Sequence, residues 1–279
     1  IIPPSIPMIL YGAITGASIV KLFLAGVVPG VLCGAAIMGT SYGLARASGF
    51  ADSEPFDRRR VAKTFRRAFW ALSLPVVILG GIFAGLFTAT EAAAVAVFLA
   101  LGLGFAVYRA LDRKVLRPVV IESAIQTAVV MILVAGSAVL GWYLANQQVP
   151  ERLAAFTMAY VSGRTGVLLL LNGILLVAGM ILHSAAAIVL LVPILLPLTH
   201  ELGIDPVHFG LMVTVSLAIG QQTPPVASVL ITTCSIARVS MGEVMRVNIF
   251  FIFAMLLVLL LVTFVPGVSL WLPSLLSPS

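Results

Sequence analysis

The sequence predicts an all-α polytopic membrane protein of the inverted-repeat type, with a re-entrant hairpin and broken helices. Three observations carry that expectation. The chain is 61% hydrophobic and only 9% charged, with a mean hydropathy of +1.17, whereas a soluble domain carries about a quarter charged residues. Several apolar runs reach the roughly 20 residues that span a hydrocarbon core. Two runs are broken by a proline pair, Pro3-Pro4 ahead of Ser5 and Pro224-Pro225 behind Thr223. Proline removes a backbone donor and clashes with the preceding turn. Inside a bilayer the freed carbonyls must find partners in protein or in a water-filled cavity. Each pair leads into a short small/polar helix, a serine (Ser18, Ser240) and a long apolar run. Two such breaks in corresponding places point to the binding site of a secondary transporter. The alternating ten-residue segments of a transmembrane barrel are not found.

Taken in order, residues 6–19 read as the second half of a broken helix. Residues 21–45 form a full span in which Gly26 and Gly30 offer a close-packing face. Residues 51–57 are a polar connection. Residues 58–72 read as an interfacial amphipathic helix, because Val61, Phe65, Ala68, Phe69 and Leu72 share one stripe and the basic residues fall elsewhere. Residues 70–108 are apolar for too long to be one span; two helices turning near 85–90 return both ends to the charged side. Residues 121–145 are a further span, and the polar stretch 146–152 lies on the opposite side. Residues 166–198 are again too long for one helix and carry a polar point, His183-Ser184, which predicts a re-entrant hairpin with its tip there. A loop over 200–206 precedes 207–219, which lead into a break at 220–226; residues 227–237 lead out of it. Residues 238–246 form a cytoplasmic corner, 248–265 the last span, and Pro266 begins an exit with an interfacial Trp271.

The net charge is +6, and its placement matters more than its size. Seven of the sixteen basic residues lie in 46–67 and four more in 109–117. The positive-inside rule sets both stretches in the cytoplasm of a multi-pass protein. An anionic membrane face accounts for this basicity, so nucleic-acid binding is not expected. Cys33 and Cys234 are isolated in apolar surroundings, without metal-ligand spacing or a disulfide framework. The chain begins at Ile1 inside the first broken helix, so an N-terminal part is expected to be missing. Enzyme chemistry is not expected. His200-Glu201 followed by His208 lacks the four-residue histidine spacing of zinc proteases, and neither a serine nucleophile motif nor a phosphate-binding glycine loop occurs.

Pro3-Pro4-Ser5-Ile6-Pro7 with Tyr11-Gly12, then Gly16-Ala17-Ser18-Ile19 running into Leu22-Phe23-Leu24-Ala25-Gly26, resembles the large membrane subunit of TRAP transporters, the tripartite ATP-independent periplasmic transporters. Phe87-Thr88-Ala89-Thr90-Glu91-Ala92 is similar to that family's threonine-glutamate-alanine stretch. Gly179-Met180, Pro193-Ile194-Leu195-Leu196-Pro197, Gly203-Ile204-Asp205-Pro206-Val207-His208-Phe209-Gly210 and Thr223-Pro224-Pro225 follow in the family's order. The resemblance covers essentially the whole chain. It implies a sodium-coupled importer of organic acids such as dicarboxylates or sialic acid, fed by a periplasmic substrate-binding protein, braced by a small membrane subunit, and working as an elevator. It also implies a division into 1–49, the end of the first repeat; 50–72, a cytoplasmic arm helix; and 73–279, the second repeat. The second repeat then has its hairpin near 166–198 and its broken helix near 207–237. The sequence departs from the family at Leu182-His183-Ser184, at Gln221-Gln222 and at Ala89, where proline is common.

A sodium ion needs several oxygen ligands, which unwound carbonyls and nearby hydroxyls supply. The second candidate site therefore joins Gly179 and Ser184 to Gly220, Thr223 and Pro224. The first joins Ile2, Pro3 and Ser5, facing a hairpin outside this chain. A carboxylate substrate suits half-helix N-termini, near Val226 and near Ser184, with His183, Gln221 and Gln222 as the residues that read it. The two amides favour a polyhydroxylated acid over a bare dicarboxylate. No organic cofactor and no metal beyond sodium is expected. His183 is open between a substrate or proton role and a hydrogen bond within the protein. Glu91 is open between intramembrane function and helix capping. A non-transporting scaffold of the same fold is the alternative reading.

Overall fold

A chain in hydrocarbon must satisfy its own backbone, and helices do so segment by segment. The computed structural model describes residues 1–49, 56–149, 152 and 163–276. Among these residues run α1 (Ile6–Thr15), α2 (Ile19–Ala47), α3 (Arg58–Phe83), α4 (Ala89–Gly102, continued by a π turn over Leu103–Val107) and α5 (Arg113–Asn146). There follow α6 (Gly163–Ile181), α7 (Ser184–Glu201), α8 (Pro206–Gly220), α9 (Ser228–Ala237), α10 (Met241–Phe264) and α11 (Pro266–Leu276). Seven of the described helices are long and apolar enough to cross a membrane. The protein is thus an all-α, multi-pass membrane protein, as its composition requires.

The helix starts are chemically marked. Asp57 accepts from Arg59 N, Asp112 from Val115 N, and Asp205 from Val207 N and His208 N. Such caps satisfy amides that the helix itself cannot. Thr88 and Glu91 form a capping box on α4, with Glu91 Nα–H donating to Thr88 Oγ1 and Thr88 N donating to Glu91 Oε2 at 2.8 Å. That geometry gives Glu91 the capping role of the two left open by its sequence context.

The two serines that follow the breaks do the same job. Ser18 Oγ accepts from Lys21 N ahead of α2, and Ser240 Oγ from Glu243 N ahead of α10. The short helices before them, α1 and α9, have ten residues each, and both end in a left-handed residue, Gly16 and Arg238. Both Pro-Pro bonds are cis.

The chain forms two compact units, residues Ile1–Leu44 with Val130–Ser279, and Ala45–Val129. In the first, α8 is the central element. It has no polar face, and a helix apolar all round belongs in an interior. All its residues but Pro206 and Ala218 are buried. It packs against α6 above all, and against α1, α7, α10 and α11. Tyr11 of α1 donates to Pro206 O at 2.7 Å and meets the Phe209 ring edge-on at 6.1 Å. Gly210 permits this crossing, since a Cβ there would lie 2.6 Å from the Tyr11 ring.

Buried polar groups lock the same helices. Asn172 of α6 donates to Thr263 Oγ1 of α10 at 2.8 Å and accepts from Ser216 of α8 at 3.3 Å. His208 Nδ1 lies 2.7 Å from Ser269 Oγ of α11. The glycine face of α2 is used by the start of the chain: Gly26 meets Met8 and Ile1 O, and Gly30 meets Ile2.

In the second unit α3 and α4 pair across a turn, as the overlong run 70–108 requires. The apolar stripe of α3 stays on the outside, with Val61, Phe65, Phe69 and Leu72 each half exposed or more.

Four boundaries differ from the sequence expectation. The arm and the next span are one helix, α3, because Pro75 sits inside it without ending it. Helix α5 begins at Arg113 instead of 121, its charged first turn being capped by Asp112. Helix α7 runs to Glu201, so His200 and Glu201 are helical and the loop is shorter. Helix α10 starts at Met241, and the exit after Pro266 is itself a helix, since proline is well placed in a first turn. Of the polar connection 51–57, residues 51–55 lie outside the described residues.

Candidate functional site

Helices α6 and α7 form the expected hairpin, with Leu182-His183 at its apex. Helix α8 ends at Gly220, the chain unwinds over seven residues, and α9 begins at Ser228. The apex and the break belong to the same compact unit and touch through backbone. A Cβ on Gly220 would lie 2.7 Å from Gly179 Cα, Gly179 C and Leu176 O. A Cβ on Gly179 would lie 3.0 Å from Leu217 O and 3.1 Å from Gly220 Cα. Only glycine at both positions lets the two helices come this close, the same device that small residues provide elsewhere in membranes.

Hydrogen bonds then tie the unwound segment to the hairpin. Val226 N and Ala227 N both donate to Met180 O, at 3.2 and 3.4 Å. Across the break, Val229 N donates to Gln221 O at 3.2 Å. Thr223 N donates to Gly220 O, and the Thr223 hydroxyl donates to Ile219 O at 2.9 Å. Asn248 of α10 donates to Gln222 O at 3.0 Å. The carbonyls of Thr223, Pro224 and Pro225 accept none of these bonds. Ala227 sits at φ 50°, a left-handed conformation rare for a residue with a side chain.

Two buried polar atoms at this place have no hydrogen-bond partner among the described residues: Gln221 Nε2 and Ser228 Oγ. Gln221 is only 7% exposed. A buried polar group left unpaired costs about 1–3 kcal/mol; His208 Nε2 in α8 is a third such atom among the described residues.

The sequence-derived residues fall as follows. Gly179, Gly220, Thr223, Pro224, Gln221 and Gln222 come together at the apex–break contact. Ser184 is the first residue of α7 and half-buried; His183 is exposed beside it and its side chain does not cap the helix. Val226 has its N–H committed to Met180 O, so the start of α9 has already spent that donor. Among the described residues no side chain caps the start of α7. At the first break Pro3 and Ser5 are buried while Ile2 is 65% exposed. Ser5 occupies the N-cap position of α1 without a side-chain cap bond. Sequence reasoning missed Met180, Ser228 and Asn248. Only Ser228 left a signal, a hydroxyl three residues beyond a proline pair.

No group of three metal-ligating side chains occurs among the described residues. The model of the tripartite ATP-independent periplasmic transporter, DctM component, matches residues 1–268. The chain is 39% identical over 275 residues to the sialic acid TRAP transporter large permease protein of Vibrio cholerae, covering 99% of this chain and 64% of that protein. It is 37% identical to the C4-dicarboxylate TRAP transporter large permease protein of Pseudomonas aeruginosa, covering 100% of this chain and 65% of that one. It is 39% identical to the isethionate TRAP transporter permease protein of Oleidesulfovibrio alaskensis, covering 97% of this chain and 43% of that one. The chain thus spans less than two thirds of the length of each of these relatives. The helices are those of a multi-pass membrane protein, and the relatives are named as permease proteins: the chain belongs to the DctM component family of the tripartite ATP-independent periplasmic transporters.

Proposed function

We propose that this chain acts within the large membrane subunit of a sodium-coupled TRAP transporter that imports an organic acid. A periplasmic binding protein delivers the acid, a small membrane subunit braces the large one, and transport proceeds by an elevator movement of the hairpin-bearing part. The observation that carries the proposal is the contact of the hairpin apex with the unwound break, where Gln221 Nε2 and Ser228 Oγ are buried without partners. Sodium suits oxygens of this kind: the Thr223 hydroxyl lone pairs and the carbonyls of Thr223 and Pro224, with the Ser184 hydroxyl as a further ligand. Ser5 with the carbonyls of Ile2 and Pro3 forms the equivalent at the first break.

The substrate's acid group suits the start of α7, where the positive end of the helix dipole and the amides after His183 favour an anion. His183, Gln221 and Gln222 then read the rest of the molecule. The named relatives handle a sialic acid, a C4-dicarboxylate and isethionate, all anions. Two amides, which both donate and accept, favour an acid rich in hydroxyls. Reconstitution of the intact transporter with its own binding protein tests the proposal. Uptake must follow an imposed sodium gradient, and Gln221→Leu must change the ranking of competing acids. Uptake indifferent to sodium would refute the coupling, and equal loss for every acid would remove Gln221 from substrate reading.

A further inference from the structure

The second unit contains a cavity that the transport site does not explain. It measures about 810 Å3 and lies among α3, the end of α4 with its π turn, and the start of α5. That volume is within the roughly 300–1,000 Å3 of small-ligand sites. Its walls are hydrocarbon, with Leu74, Val97, Leu101, Leu111, Leu116 and Val120 prominent. The two polar side chains in the lining are both spent on backbone. Tyr108 Oη donates to Arg67 O at 2.9 Å and accepts from Ala71 N at 3.2 Å. Ser123 Oγ donates to Val119 O at 2.8 Å. The lining side chains therefore offer a guest no free donor, and the natural filling is an alkyl chain.

The rim is the opposite. Lys63, Arg66 and Arg67 line one surface hollow on α3, and Arg113, Lys114 and Arg117 line another at the start of α5. Arg117 directly follows Leu116 of the cavity wall, and Arg67 gives its carbonyl to Tyr108 of the same wall. The nearby acids are turned to other tasks: Asp112 caps α5, and Glu122 accepts from the Gln126 amide at 2.9 Å. An apolar chamber opening beside two cationic hollows has the two-part chemistry of a phospholipid site. Guanidinium groups match a phosphate in shape as well as charge. The K/R bias puts these helix ends at the cytoplasmic face, whose leaflet is the anionic one.

We propose that this cavity holds an acyl chain of an anionic phospholipid of the cytoplasmic leaflet, its phosphate seated on Arg113, Lys114 and Arg117. The site is separate from the transport site and independent of what that site carries. The test uses the intact transporter in nanodiscs of equal phosphatidylglycerol and phosphatidylcholine, with retained lipid read by native mass spectrometry. Three cations near the surface predict retention of phosphatidylglycerol over phosphatidylcholine by about tenfold or more. Replacing the exposed trio (Arg113→Gln, Lys114→Gln, Arg117→Gln) reduces that preference at least about fivefold. Ala100→Phe, which puts an aromatic ring into the space an acyl chain would take, lowers retained lipid of both kinds; the surface trio keeps the test decisive if this variant fails to fold. Equal retention of the two lipids, or a preference the trio variant leaves intact, overturns the proposal. So does efficient cross-linking of Ser123→Cys to a helix of another subunit, which would show protein in the chamber.

Discussion

Gly220→Ala puts the apex–break contact under direct strain. The added Cβ would sit 2.7 Å from Gly179 Cα and C and from Leu176 O, all of them backbone atoms. Backbone cannot swing aside as a side-chain tip can. Helices α6 and α8 must therefore part by about 0.7 Å, in an interior that packs like a crystal. Overpacking of this kind costs about 1–3 kcal/mol. At about 2–4 °C per kcal/mol, the apparent melting midpoint of the purified transporter falls by roughly 2–12 °C. Gly179→Ala is milder, because its nearest atoms are at 3.0 and 3.1 Å. Gly34→Ala is the control: its Cβ would meet nothing within 4 Å, and alanine is favoured over glycine in a helix interior by about 0.5–1 kcal/mol. Scanning fluorimetry of the three variants should rank them in that order, with Gly34→Ala at or above the parent. If Gly220→Ala melts with Gly34→Ala, the close approach of hairpin and break is not what holds this region.

Thr88→Ala should lose about 0.5–2 kcal/mol of stability through its cap. Glu91→Gln should leave uptake intact because glutamine serves the same capping position; an uptake loss there, with stability unchanged, would make Glu91 functional. Asn172→Ala should cost about 0.6–1.7 kcal/mol, the range for hydrogen bonds between membrane helices, read by the same melting assay. A cysteine at position 113 should label from the cytoplasmic side only; periplasmic labelling would invert the reading of α3, α4 and α5.

Much of the fold was legible because membrane helices announce themselves by length and interruption. The run 166–198 was too long and carried His183-Ser184 in its middle, and the hairpin turns there. The break declared itself through Pro224-Pro225; Ser18 and Ser240 stood out only by their place ahead of apolar runs, and their capping came from the structure. What stayed hidden is nonlocal. Gly179 and Gly220 were expected together as ion ligands, but their part in letting two helices approach shows only when those helices are laid together, and Met180 enters only by its carbonyl. Asn172 and Thr263 stand 91 positions apart. Helix α11 was read as an exit from Pro266 onward, although proline in a first turn starts a helix as readily as it ends one. Glu91 was ambiguous by composition and was decided by geometry alone. The cavity beside Tyr108 gave no sequence signal, since three separate helices supply its walls.

Sodium binding at the break is the measurement closest to the central claim. Equilibrium binding of radioactive sodium to the intact transporter, parent against Thr223→Ala, reads it without transport. One polar oxygen lost from a cation is comparable to a lost hydrogen bond to a charged group, about 1.5–3 kcal/mol, or a weakening of roughly 10- to 150-fold. Because the Thr223 hydroxyl makes only an i→i−4 bond to Ile219 O, the fold should lose little. The account predicts weakened sodium binding at nearly unchanged melting temperature. Unchanged sodium affinity, or a loss that merely follows unfolding, would contradict it.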